Sequence, residues 1–430
     1  MWSGCSPLPA GRPSGTRSPS RSPTRSPSLR SDAHEGGLRA IDVAFCSAAV
    51  GCGHTRASVA IHDALQARGQ LGGATFVEAL DHAPGWFTRA YRDGYLRAVR
   101  HLPRLVGAIY DRTDVPRRER RTLAPILDRS EDSVLRAFRA HPALHEADAV
   151  VSTHFLTTAV LGRMRLRGEL RAPVVTVVTD EHPHAVWLHP GIDLTCVASD
   201  AAYTSAIEGG LDPDRVAVTG IPVDPRFCMA ASGLIAGVDR TARPIVLACG
   251  GGQGLGDLAD AVRAIVAARV TCTVVAVAGR NATLEATLRR IAAAATGVTE
   301  VRVLGYTNAM HALMAGADLM VGKPGGLTTT EARAMSLPML LLRPIPGQEE
   351  RNARMLVGHG AAVQLARAAD AGRAVREILA DPTRLASMRA ACGATGRPRA
   401  AFDVARRVAE AADAATAGPG SRPGWRRSPF

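Results

Sequence analysis

The chain has 430 residues, too many for one ordinary hydrophobic core and suited to two domains. Its composition, 46% apolar and 21% charged, is that of a folded protein, and it has no uninterrupted apolar run of about 18 residues such as a membrane-crossing helix needs. Of the formal net charge of +13, residues 1–31 and 418–430 carry +8 as arginine without any acid, so the body is only mildly basic and does not call for a nucleic-acid partner; 4% aromatic residues also give little material for base stacking.

Residues 1–36 are rich in Arg, Ser and Pro and lack the apolar core of a secretory signal. They cannot bury apolar surface and are expected to be a disordered tail, either a functional basic extension or the product of an over-early start codon. A first domain is expected over 37–226. It opens with a strand at 41–45, a small-residue turn at 47–53 and a helix near 55–68. Further strands are predicted at 75–78, 149–152, 174–179, 194–198 and 216–219, with helical patterns between them. A linker is expected at 227–241. A second domain, 242–397, repeats the alternation with strands at 244–248, 272–277, 301–304, 319–321 and 338–342. A C-terminal helix over 398–416 and a loose tail, 417–430, complete the chain. The fold class is α/β, with two Rossmann-like doubly wound domains facing a cleft. The eight cysteines form no CxxC pair and read as small buried residues in a reducing compartment, with no metal site.

The polar signals sit where strands end. GGGQG at 250–254 follows one strand, and its glycines let the backbone approach a phosphate. GKPGGLTTTE at 322–331 follows another. Thr328 to Thr330 are expected to cap a helix whose start presents amides to a diphosphate, and Glu331, one turn inside, would accept hydrogen bonds from a ribose diol. The same residues would also serve an ordinary capped helix. In PIPGQEERN (344–352), Gln348, Glu349 and Asn352 suit sugar hydroxyls.

In the first half, VGCGH (50–54) ends in His54, whose imidazole titrates near neutrality and suits a general base. Asp180, in TDEHPHAVW (179–187), would orient a base or act as one. Residues 86–111 interleave apolar side chains with arginines, a pattern that lies on an anionic membrane surface or packs on the domain itself.

The run KPGGLTTTEARAMSLPMLLLRPIPGQEERNA (323–353), with GGGQG before it, resembles the donor-binding half of GT-B glycosyltransferases of the diacylglycerol hexosyltransferase group. That group holds the monogalactosyldiacylglycerol synthases and the processive diacylglycerol glucosyltransferases. The peptidoglycan lipid N-acetylglucosaminyltransferases are similar at greater distance. The resemblance spans roughly residues 41–363. It implies that Gly251, Gly252 and Gln253 meet the donor phosphate and sugar, that Tyr306 and Met310 lie at the uracil, that Pro324, Gly325, Gly326, Leu327 and Thr328 bind the diphosphate, that Glu331 binds the ribose and that Gln348 and Glu349 meet the hexose. On the acceptor side, Gly51, Gly53 and His54 match a G-x-G-H turn, and His184 and Trp187 match a T-D-x…H-x-x-W segment. His54 and Asp180 are the catalytic candidates, with His54 favoured as the base.

The implied activity is inverting, metal-independent transfer of a hexose from a UDP-sugar to a lipid hydroxyl, diacylglycerol first, giving a β-hexosyl-diacylglycerol. No cofactor beyond the donor substrate, no metal and no nucleic-acid partner is expected. The enzyme would be cytoplasmic, resting on the inner face of the cell membrane through 86–111. A polyprenyl-linked or natural-product acceptor is the alternative, and a nucleotide-sugar-binding protein without transfer is a third reading. UDP-sugar epimerases share the architecture, but the PIPGQEERNA run favours a transferase.

Overall fold

The computed structural model describes residues 39–48, 52–85, 88, 112, 114, 124–229, 243–250, 257–295, 297–345 and 347–417. The tail 1–36, Gly51, the run 86–111 apart from Thr88, linker residues 230–241, the turn residues Gly251, Gly252 and Gln253, and residues 418–430 lie outside them.

The first unit runs β1 (Ile41–Ser47), α1 (Cys52–Ala67), β2 (Leu71–Glu78), α2 (Ala124–Arg139), β3 (Ala149–Ser152), α3 (Phe155–Leu166), β4 (Val174–Val177), β5 (Leu194–Val197), α4 (Asp200–Glu208) and β6 (Val216–Val218). All pairings are parallel, in the order β2-β1-β3-β4-β5-β6. Central strands such as AVVS of β3 and VVTV of β4 are buried at every position, as a sheet covered on both faces requires. The edge strand β2 begins four residues before its predicted start. Its early residues, including Gly72 and Gly73, are half-buried or exposed and carry little apolar pattern.

The second unit runs β7 (Ile245–Cys249), α5 (Leu258–Ala267), β8 (Cys272–Val277), α6 (Ala282–Ala294), β9 (Thr299–Leu304), α7 (Met310–Gly316), β10 (Leu319–Gly322), α8 (Gly326–Ala334), β11 (Met339–Leu341), α9 (Gln348–Gly358), β12 (Ala362–Gln364), α10 (Ala371–Leu379), α11 (Pro382–Thr395) and α12 (Ala400–Thr416). Its sheet is also parallel, in the order β12-β11-β10-β7-β8-β9. The strand β12 has no counterpart among the predicted elements. It is three residues long, with one buried position, too short to show a period.

Strand order reverses between β1 and β3 in the first sheet and between β7 and β10 in the second. Such switch points open a crevice beyond the strand ends. The segment leading to His54 leaves β1, and Thr153 follows β3. In the sequence GGGQG follows β7, and GKPGG leaves β10. Gly322 must be glycine here, because a Cβ would lie 2.5 Å from the Cys249 carbonyl oxygen of the neighbouring strand.

Two features depart from the predicted layout. Phe227, assigned to the linker, sits in a helix spanning Arg226–Met229 and is buried with Ile245, Val275 and Leu313 in the core of the second unit. Helix α12 crosses back to the first sheet, where Ala401, Val404, Ala405 and Val408 bury against Val43, Ile61 and Val151. Cys46, Cys196, Cys228, Cys249, Cys272 and Cys392 form no disulfide, and all but Cys228 are buried, as expected. Among the described residues no helix is long and apolar enough to cross a membrane.

Candidate active site

Helix α1 carries His54 in its first turn, directly beyond the first sheet's switch point. Its Nδ1 lies 2.8 Å from the Thr153 carbonyl oxygen and 2.9 Å from Thr179 Oγ1. A carbonyl only accepts, so Nδ1 carries the proton and Nε2 holds the lone pair. Ser58, one turn on, hydrogen-bonds Thr153 Oγ1 at 3.0 Å and fixes that loop. The buried His154 stands edge-on to the His54 ring, with centroids 4.7 Å apart. Burial lowers the His54 pKa to about 4, with the Thr153 carbonyl bond opposing it, so the imidazole is neutral at physiological pH.

Asp180 lies beyond the end of β4. One oxygen accepts the Trp187 indole N–H at 2.8 Å, and the other accepts from Gln348 Nε2 of the opposite domain. Burial pushes Asp180 up to about 6, against the Trp187 bond and the charges of His182 and Arg351. Trp187 is 1% exposed and His184 2%, with His184 Nδ1 accepting the Val186 amide at 3.2 Å. Both residues, matched to the acceptor side, are buried in the wall of the cleft: Trp187 holds Asp180, and His184 caps the turn at Ala185–Trp187.

The second domain closes on this wall. Arg333 of α8 forms a buried ion pair with Glu181 and donates to the Thr395 carbonyl. Arg351 of α9 meets Asp114 at 2.9 Å. Burial would raise the Asp114 carboxyl, but hydrogen bonds from His182, the Ala185 amide and Arg351 outweigh it and hold Asp114 well below the usual carboxylate range.

Helix α8 starts at Gly326, with Gly325 at the N-cap and no side-chain cap. Thr329 donates to the Gly325 and Gly326 carbonyls at 3.1 and 3.0 Å, and Thr330 to Gly326 at 2.8 Å. These hydroxyls turn back into the helix rather than capping it, which corrects the expectation for Thr329 and Thr330. The first-turn amides of Gly326, Leu327 and Thr328 therefore have no side-chain partner at the cap and suit an anion. Asn352 Nδ2 holds the Pro324 carbonyl at 3.0 Å and shapes the turn. A Cβ on Gly326 would stand 3.6 Å from both the Thr179 carbonyl oxygen and Gln348 Nε2, so the helix start lies against the residue that holds His54.

Glu349 accepts the Ile345 amide at 2.7 Å and lies 3.9 Å from Lys323 Nζ. Burial raises its carboxyl, with Lys323 and that amide opposing. Glu331 is 5% exposed and lies 3.6 Å from Arg56 Nη1 of α1. Both line an interdomain cavity of about 220 Å³ that also takes in Met310 and Leu327. Tyr306 is 45% exposed, with the Arg280 guanidinium 4.4 Å above its ring. A Cβ on Gly53, in the first turn of α1, would meet nothing within 4 Å.

Sequence reasoning missed Thr153, Arg56, Asp114 and Arg333. Thr153 was findable, because it follows the strand beside β1 at a switch point. The others carry no local signal.

Residues 54–223 match the monogalactosyldiacylglycerol (MGDG) synthase family, and residues 245–402 match the glycosyltransferase family 28 C-terminal domain. The first half of the chain is thus similar to the MGDG synthases and the second half to family 28 C-terminal domains. Over 250 residues it is 31% identical to a processive diacylglycerol β-glucosyltransferase of Bacillus pumilus, covering 57% of this chain and 64% of that one. The match thus spans a little under two thirds of the relative's length. Among solved structures, the fold is similar to Acinetobacter baumannii MurG, with TM-score 0.55 and 17% identity over 85% of this chain and 98% of that one. It is also similar to a UDP-N-acetylglucosamine 2-epimerase, with TM-score 0.50 and 16% identity over 87% of this chain and 95% of that one. The architecture is the two-domain GT-B fold, and as the epimerase shows, that fold alone does not fix the chemistry.

Proposed function

We infer that the protein is a UDP-sugar-dependent glycosyltransferase that moves a hexose onto a lipid hydroxyl, with diacylglycerol as the first candidate acceptor. The observation that carries this reading is the convergence at the cleft. The neutral His54 of one domain and the uncapped start of α8 from the other meet across Thr179. This is the arrangement direct displacement needs. The acceptor oxygen bonds to the sugar C1 as the C1–O bond to the diphosphate breaks. The hydroxyl proton passes to His54 Nε2, and the amides of Gly326, Leu327 and Thr328 receive the charge that develops on the departing UDP. Single displacement inverts the anomeric centre and gives a β-linked product from an α-linked donor. The helix start offers this stabilisation without a metal ion. Asp180, with both oxygens already accepting hydrogen bonds, is better placed to fix the cleft wall than to take the proton.

The matches to the MGDG synthase family and to a relative named for diacylglycerol support the lipid acceptor. The basic, apolar run 86–111 supports contact with the anionic inner face of the membrane.

The test is a product assay. The full chain is incubated with vesicles of diacylglycerol and anionic lipid, and separately with UDP-glucose, UDP-galactose and UDP-N-acetylglucosamine. The lipid extract is then read by mass spectrometry. A hexosyl-diacylglycerol that is absent with His54→Ala supports the assignment. UDP release without glycolipid from any donor redirects it to another acceptor, and donor binding without UDP release leaves a nucleotide-sugar-binding protein.

A further inference from the structure

Helix α1 presents three faces to three environments. Ala57, Ile61, Ala64 and Leu65 enter the first core. His54 and Ser58, one turn apart, hold Thr153. Arg56, with Thr55 and Val59, faces the interdomain cavity, where its guanidinium lies 3.6 Å from the Glu331 carboxylate of the opposite domain. The groups around Glu331 that carry or can carry charge are Arg56 and Asp63 of α1, Asp224 before the helix at Arg226–Met229, Arg226 at its start, and His311 of α7. Arg226 and Asp224 compensate each other at 2.7 Å, and Asp63 pairs with His62 at 2.8 Å. Burial and the charge of Arg226 lower His311, against Asp224, which favours the neutral ring. The cation that reaches Glu331 is therefore Arg56.

We propose that Arg56 is a positioning residue of the donor site, supplied by the acceptor domain, which keeps Glu331 ionised so that it accepts hydrogen bonds from the diol of a bound nucleoside. The proposal rests on the reading that the cleft binds a UDP-sugar. A carboxylate can accept two hydrogen bonds from a diol, whereas the neutral acid gives up part of that capacity. Burial pushes Glu331 up to about 7, with Arg56 opposing and Asp224 adding to the rise, so at neutral pH the balance is set by the guanidinium. Opening the cleft would withdraw Arg56 and weaken the donor's partner. By linkage, donor binding then favours the closed arrangement.

Binding of UDP-glucose and UDP-galactose, whose esterified diphosphates do not titrate near neutrality, is measured by calorimetry from pH 5.5 to 9. The full-length protein is compared with Arg56→Gln, Arg56→Lys, Glu331→Gln and the double variant Arg56→Gln/Glu331→Gln. Arg56 is exposed, so its replacement leaves the core intact. The wild type is expected to lose affinity as pH falls through about 7. Arg56→Gln moves that midpoint up by about one unit, costing about fivefold at pH 7 and under twofold at pH 9. Arg56→Lys stays near wild type, and the double variant binds like Glu331→Gln alone, without pH dependence. A loss in Arg56→Gln that is equal at every pH, or no loss at all, overturns the proposal. Failure of the wild type to bind either donor overturns the UDP-sugar reading beneath it.

Discussion

At the C-terminal edge of the first sheet the candidate functional groups are side chains: His54 held by Thr153 and Thr179, and Asp180 held by Trp187. At the same edge of the second sheet they are backbone: the amides that open α8, shaped by Gly322, Gly325 and Gly326. Both edges lie at a switch point of a parallel sheet, so the fold supplies two equivalent crevices. The difference follows from what each would meet. A proton must move to a group of defined tautomer, which only a held side chain provides. A diphosphate needs several donors at fixed spacing, which a helix start provides at no cost in side-chain entropy.

The sharpest way to break this comparison is His54→Ala. Removal of the base is expected to lower kcat by about 10²–10⁴-fold while leaving the donor Kd within about twofold, read by single-turnover transfer beside donor titration. Next in size is the contact that joins the two edges. Glu181→Ala leaves Arg333 charged and buried, at a cost of about 3–5 kcal/mol. Thermal unfolding is expected to show a fall of several degrees, with much of it recovered in Glu181→Ala/Arg333→Met.

The pH dependence of kcat at saturating donor separates the two candidate bases. If His54 takes the proton, the rate falls only as pH drops through about 4; if Asp180 does, it falls through about 6. The first outcome is expected, because below its pKa the base is already protonated and cannot accept. The smallest effect is expected for Thr328→Ala. If the amides of α8 carry the donor, losing this hydroxyl shifts the Kd by less than about threefold. A loss of tenfold or more would return the diphosphate site to side-chain chemistry.

Much of the site could be read along the chain because its pieces are local. Glycine turns at strand ends, the VGCGH and GKPGGLTTTE runs and the strand–helix alternation are written within a few residues of one another. The burial of His184 and Trp187 was not legible, since sequence spacing places a residue near a site without saying whether it faces ligand or core. Thr329 and Thr330 were misjudged for a related reason: a hydroxyl near a helix start can cap it or turn back on it, and only the backbone path decides.

By itself the sequence determined the two parallel sheets and, apart from β12, their order of strand and helix, because apolar period is a property of short windows. The tertiary structure decided which side chains face one another across the cleft. Asp180 meets Gln348 from 168 residues away and Glu181 meets Arg333 from 152, while Arg56 reaches Glu331. It also decided that α12 returns to the first sheet. Those contacts depend on how two rigid units dock, and no local pattern encodes the partner of a charged side chain that lies in another domain.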